Sequence, residues 1–202
     1  MDEDGLLAAI AERVNERERL IVGIAGAPGS GKSTLAERLR QQIEASGESV
    51  AVVPMDGFHF DDRVLSARGL LPRKGAPETF DVAGFRHLLM RRARETEVAI
   101  PVFDRSIEIS RAGAAVVQAE TRILLVEGNY LLLDETPWNG LAGAFDMTVW
   151  LDVPVDELER RLVQRWLDHG FSTDAAREKA LSNDIPNARR TAARSRAADV
   201  TL

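Results

Sequence analysis

The sequence predicts an α/β domain built on a parallel sheet, and three observations carry that prediction. Short apolar runs alternate with amphipathic stretches along the whole chain. The runs are rich in β-branched residues without polar alternation, as expected of strands buried on both faces. A glycine-rich turn also joins the first run to the first long amphipathic stretch, the usual entry of a strand–loop–helix unit.

The elements follow in order. Leu6, Leu7, Ile10 and Val14 recur at helical spacing, so 4–18 reads as a helix, and Leu20–Ala25 as a buried strand. Ser33–Ser46 is predicted helical from Leu35, Leu39 and Ile43, with Gly47 at its C-cap. Ser49–Met55 is a second strand, ending at Asp56. Gly69, Pro72, Gly75 and Pro77 break 61–80 into a short helix and an irregular loop. Asp81 caps a helix predicted to run to Glu97. Ile100–Phe103 and Ala114–Gln118 flank a polar centre as a hairpin-like excursion. Arg122–Gly128 and Asp146–Asp152 are strands. Pro154 starts a helix to about His169, helices follow at about 173–183 and 187–197, and Asp199–Leu202 makes a last strand.

At 202 residues the chain suggests one domain, 1–202, able to bury roughly 70% of its unfolded surface. An apolar fraction of 45% excludes disorder. Absence of cysteine excludes disulfides, thiolate zinc sites and a cysteine nucleophile. His59, His87 and His169 lack metalloprotease spacing. The net charge of −6 argues against nucleic acid as a partner. The acidic start (MDED) does not resemble a secretory signal, and no run reaches the roughly 18 apolar residues of a membrane span. A cytoplasmic protein with no membrane partner is expected.

Gly26-Ala27-Pro28-Gly29-Ser30-Gly31-Lys32-Ser33 matches GxxxxGK[ST] in full. Glycines let successive backbone N–H groups curl toward phosphate oxygens, and Lys32 adds a cation. The Ser33 hydroxyl suits Mg²⁺, and the following helix, with Thr34 in its first turn, points its positive dipole end at the same phosphates. Chance alone matches the four fixed positions in roughly 1% of chains this long, so the loop is a nucleotide-phosphate site.

Ligands of open α/β sheets sit beyond the carboxyl ends of strands, where Asp56 and Glu127 fall. Glu127 follows four apolar residues and precedes Gly128, like a Walker B ending, which assigns it to the metal. Asp56 is then the candidate base for a phosphoryl transfer.

The segments Gly26–Ser33, Met55–His59 (MDGFH), Glu78–Asp81 (ETFD), Pro101–Asp104 (PVFD) and Val126–Gly128 (VEG) occur in one order. That series resembles the uridine kinase, pantothenate kinase and phosphoribulokinase family of P-loop kinases. Val126–Leu133 (VEGNYLLL) and Asn183–Asn187 (NDIPN) are most similar to a bacterial subgroup of nucleoside/nucleotide kinase-like or fructose-transport-system kinases. The resemblance spans about residues 5–202. It implies a three-layer P-loop NTPase fold, with a five-stranded parallel sheet, helices on both faces and a helical lid at about 154–173. It also implies transfer from ATP, with Mg²⁺, to a small-molecule hydroxyl, a sugar or nucleoside being favoured. Pantothenate kinases of this type are longer, and uridine kinases usually lack the Asn-Tyr pair after Glu-Gly, so no acceptor is singled out.

By the same resemblance, Arg161 and Arg165, one helical turn apart, close over the phosphates; alternatively Arg161 is simply an ion-pair partner of Glu157. Asn187 is a candidate for the adenine. Acceptor selection falls to the excursion at about 57–118, with Phe58, His59, Arg73, Lys74 and Arg105 as candidates. Arg105 either anchors an anionic acceptor or pairs with Asp104 or Glu108. Arg189, Arg190, Arg194 and Arg196 suit an exposed helix face, and Tyr130 and Trp138 suit the core. A regulatory ATPase without an acceptor is the alternative function, and homodimerisation stays open.

Overall fold

The computed structural model describes residues 1–92 and 97–202. Five parallel strands form the sheet in the order β2–β5–β1–β6–β7: β1 (Leu20–Gly26), β2 (Val50–Pro54), β5 (Ile123–Gly128), β6 (Met147–Leu151) and β7 (Val200–Thr201). A separate antiparallel pair, β3 (Val98–Asp104) and β4 (Ile109–Val117), is the hairpin.

Strand alternation divides the core into two layers. Leu20, Val22 and Ile24 of β1 face the layer of α1 (Glu3–Val14) and α2 (Lys32–Ala45), meeting Leu6, Ile10, Leu35, Leu39 and Ile43. Ile21 and Ala25 face the opposite layer, with Phe85 of α4 (Val82–Arg92), Tyr130 and Trp138. Helices therefore cover both faces of the sheet. Tyr130 and Trp138 are core residues, as expected. A third, smaller cluster joins Ala27 to Leu158 and Leu162 of α5 (Val155–Asp168) and to Ile185 and Ala188 of α7 (Ile185–Arg194). This cluster fixes the glycine loop from below.

Several boundaries differ from expectation. The first helix stops at Val14 rather than continuing to residue 18. Asp56 lies in a 3-10 turn, Met55–Phe58, just beyond β2. Asp81 caps α4 by accepting from the Gly84 N–H at 2.9 Å; the rest of that predicted helix partly falls on 93–96, outside the described residues. The second hairpin strand begins at Ile109, not Ala114, so most of the polar centre is strand. Its side chains are largely exposed, which lets polar residues occupy strand positions without a burial cost.

The two expected C-terminal helices are one continuous run. α6 (Thr173–Lys179) passes through a π-helical turn, Ala180–Asp184, into α7. Pro186 has no N–H and its ring crowds the preceding turn. The widened turn, with the Ile185 N–H donating to the Ala180 carbonyl five residues back, accommodates it. Nor is the basic stretch a purely solvated face. Arg190 pairs with Glu135 at 2.5 Å and Glu78 at 3.2 Å, tying α7 to two loops. Among the described residues no helix is long and apolar enough to cross a membrane.

Leu39 is fully buried between α2 and the sheet. Leu39→Ala is expected to destabilise the protein by about 2–5 kcal/mol, seen as a lower urea midpoint at unchanged slope.

Candidate active site

Parallel register brings three strand ends to one edge. Glu127 lies opposite Pro54 of β2 on one side and Ile24 of β1 on the other. Asp56 follows β2 and the glycine loop follows β1, so the two carboxylates and the loop share one cleft of about 650 Å³.

The loop curls because Gly29 and Gly31 adopt φ of 81° and 96°, where a side chain is strained. Gly29 also lies against Leu162, whose Cγ would be 3.0 Å from an added Cβ. Helix α2 begins at Lys32 with no side-chain cap, so first-turn N–H groups face the cleft. The buried Lys32 ammonium donates to the Ala27 carbonyl at 3.0 Å and the Ser30 hydroxyl at 3.4 Å.

Burial dominates the electrostatics here. It lowers the Lys32 pKa to about 8, against the attraction of Glu127 and Asp56. It raises that of Glu127 to about 7, with repulsion from Asp56 adding, and Lys32 and a Ser33 hydrogen bond opposing. Each charge is costly alone, and each moderates the other.

The structure gathers most of the predicted site residues. Pro28, Gly29, Gly31, Lys32, Ser33, Thr34, Asp56, His59, Arg105, Glu127, Arg161, Arg165 and Asn187 all line the cleft. Gly26, Ala27 and Ser30 are buried behind it as the backbone of the loop. Two candidates stand apart from the lining. The Phe58 ring packs 4.9 Å from Phe85, in the core, and Arg73 pairs with Glu78 at 2.8 Å. Lys74, next to Arg73, lines the cleft instead.

Arg105 has neither of its two expected partners. Arg105 pairs with Asp56 at 2.7 Å. Asp104 is taken up by Ser106 and by Arg111 from the facing strand. Arg161 makes the expected ion pair with Glu157 at 2.6 Å and also donates to the Gly29 and Ser30 carbonyls at 3.4 and 3.3 Å. Asn187 donates its amide to Asn183, which in turn donates to the Lys74 carbonyl at 2.9 Å. This segment is thus linked to the Pro/Gly-rich loop.

Sequence reasoning missed Trp166 and Lys179, which line the cleft from α5 and α6. The Lys179 ammonium lies 4.6 Å from the Trp166 ring centroid. Neither has a motif; only the folding of α6 against α5 joins them.

A glycine loop at a helix N-terminus, facing carboxylates at the ends of parallel strands, defines a P-loop kinase. The chain belongs to the Phosphoribulokinase / Uridine kinase family, whose model matches residues 21–191. It is 37% identical over 200 residues to the Escherichia coli K12 protein YggC, itself uncharacterized, covering 98% of this chain and 82% of that one. It is 32% identical over 177 residues to a pantothenate kinase of Streptomyces coelicolor, covering 81% of this chain and 54% of the relative. A solved structure from Silicibacter sp. TM1040, described as a "putative fructose transport system kinase", superposes with a TM-score of 0.96 at 48% identity, covering 100% and 99% of the two chains. The protein is a small-molecule kinase, and its family implies ATP as the phosphoryl source.

Gly31→Ala adds a methyl group in ordinary contact with the Arg161 guanidinium, 3.9 Å away, but on a left-handed backbone. It is expected to cost about 1–2 kcal/mol of stability through strain alone, read from chemical denaturation.

Proposed function

We propose that this protein moves the γ-phosphoryl group of Mg·ATP to a hydroxyl of a small metabolite, with a sugar or nucleoside as the favoured acceptor class. The observation that carries this reading is the shared cleft, which Asp56 lines together with the phosphate loop from beyond the end of β2, with β5 between the two strands. The chain reads as one kinase domain, with 154–173 as the lid and 57–118 as the acceptor side.

In this reading the first-turn N–H groups of α2 and the Lys32 ammonium bind the phosphates. The Ser33 hydroxyl and Glu127 carboxylate are oxygen donors that suit Mg²⁺, which is held through few protein ligands and by the phosphates themselves. Mg²⁺ supplies charge neutralisation on the transferred group. Asp56 orients the acceptor hydroxyl and receives its proton at a carboxylate oxygen. Arg161 and Arg165 stabilise phosphate charge from α5 and exclude water. Asn187 helps to hold the nucleotide end of the wall through Asn183.

The test is ADP release from Mg·ATP with a panel of sugars, nucleosides and pantothenate, Lys32→Ala serving as the blank. Acceptor-dependent release, lost in the variant, is expected. Release that no acceptor stimulates, with ATP still bound, would overturn the kinase reading in favour of the regulatory ATPase. Asp56→Asn should lower kcat by about 10²–10⁴-fold with ATP affinity changed little. Unaltered turnover would remove the base assignment.

Glu127 protonates as pH falls through about 7, and Lys32 loses its proton as pH rises through about 8. The profile of kcat/KM for ATP should therefore be a narrow bell, falling on both sides of that interval, with apparent values belonging to the pair. A plateau extending well beyond both limbs would contradict these roles.

A further inference from the structure

The cations around the cleft are committed unevenly. At the loop and helix end, Lys32 donates only to a carbonyl and a hydroxyl. Arg165 and Lys179 have no salt-bridge partner among the described residues. Both rest against the ring of Trp166, while Asp184 attracts them at longer range. At the acceptor end each lining cation is neutralised. Arg105 holds Asp56 at 2.7 Å. Lys74 holds Asp62 at 2.7 Å and donates to the Glu108 carbonyl at 2.8 Å.

His59 lies among these pairs. Its ring packs at a tilt between Phe80, with centroids 4.0 Å apart, and Phe103, at 4.8 Å. Its Nδ1 is 2.9 Å from the Asp56 carbonyl oxygen. A carbonyl only accepts, so Nδ1 carries the hydrogen. Burial lowers the His59 pKa against the pull of Asp56, with Lys74 and Arg105 assisting, which keeps the ring neutral. Nε2 is then an acceptor. It has no hydrogen-bond partner among the described residues and is not sealed from solvent, on a residue that lines the cleft.

A phosphate or carboxylate on the acceptor would have to take Arg105 or Lys74 from an existing partner and would lie beside the Asp56 carboxylate. A hydroxyl group needs neither change. It gives its hydrogen to a group already facing it, while Phe80 and Phe103 supply apolar wall. We propose that the acceptor subsite takes an uncharged, hydroxyl-rich molecule, that His59 Nε2 and Asp56 receive its hydroxyl hydrogens, and that acceptors bearing phosphate or carboxylate are rejected. This rests on the kinase reading above and narrows it to a substrate class, with His59 as a specificity residue.

The test uses the full chain, ¹⁵N-labelled, with ADP bound near neutral pH. Imidazole nitrogen NMR, with the His59 signals assigned by their loss in His59→Phe, reports the tautomer directly. The expected state is neutral with Nδ1 protonated; an imidazolium, or a proton on Nε2, overturns the proposal. D-fructose, D-ribose and uridine are then compared with D-fructose 6-phosphate and pantothenate, by the Nε2 shift and by ADP release. Response confined to uncharged members is expected, with the sugar and nucleoside arms separating those two sources. A charged member as the preferred acceptor overturns it. With a responding acceptor, His59→Phe keeps the aromatic packing and should lose roughly tenfold or more in kcat/KM for it, His59→Gln restoring much of the loss through its amide oxygen. Equal acceptor KM in all three proteins also overturns the assignment. If no compound is phosphorylated while the Nδ1-protonated tautomer holds, the kinase reading fails and the hydrogen-bond assignment of His59 stands.

Discussion

Everything in this molecule depends on keeping two opposite charges, Lys32 and Glu127, buried at the carboxyl edge of a parallel sheet. Desolvation works against both, pulling the ammonium toward neutrality and pushing the carboxylate toward protonation. Isolated, either charge would cost several kcal/mol. Their mutual attraction, the Ala27 carbonyl and the Ser33 hydroxyl offset part of that cost. The remainder falls on the two apolar layers that hold β1 between β5 and β6. A strained, charged loop is tolerable because the two central strands beneath it, β1 and β5, are fully buried.

The same arrangement explains why a kinase suits this edge. A buried ammonium with incomplete neutralisation, beside uncapped helix N–H groups, is prepared for an anion. Little reorganisation is then needed when phosphate oxygens arrive. On the proposed acceptor side the logic reverses. Charges there are already matched, and the free group is a neutral ring nitrogen. One cleft thus presents a cationic end for the donor and an electrically balanced end for the acceptor.

Much of this was legible in the sequence. Gly26–Ser33 has a spacing that only a phosphate-cradling turn requires, and the apolar runs around it place that turn at a strand end. Asp56 and Glu127 were readable because each terminates such a run, and parallel strands bring their ends together. Side-chain partners were less legible. Arg105 was offered Asp104 and Glu108 by proximity in the chain, but the hairpin folds it onto Asp56, 49 residues away. Arg73 and Lys74 are neighbours with opposite fates, since the 3-10 turn sends one to Glu78 and the other to the cleft. Pro186 signalled a break in the helix, and only the π-helical turn shows how the chain passes it unbroken. Such outcomes depend on tertiary approach, which periodicity does not encode.

The central claim is geometric, that donor phosphates and acceptor hydroxyl meet between Lys32 and Asp56. A crystal structure with Mg²⁺ and a non-hydrolysable ATP analogue tests it most directly. The account predicts the triphosphate wrapped by Gly26–Thr34, the metal at Ser33 on the Glu127 side, and the terminal phosphate facing Asp56. A nucleotide bound elsewhere, or one whose terminal phosphate points away from Asp56, would contradict it.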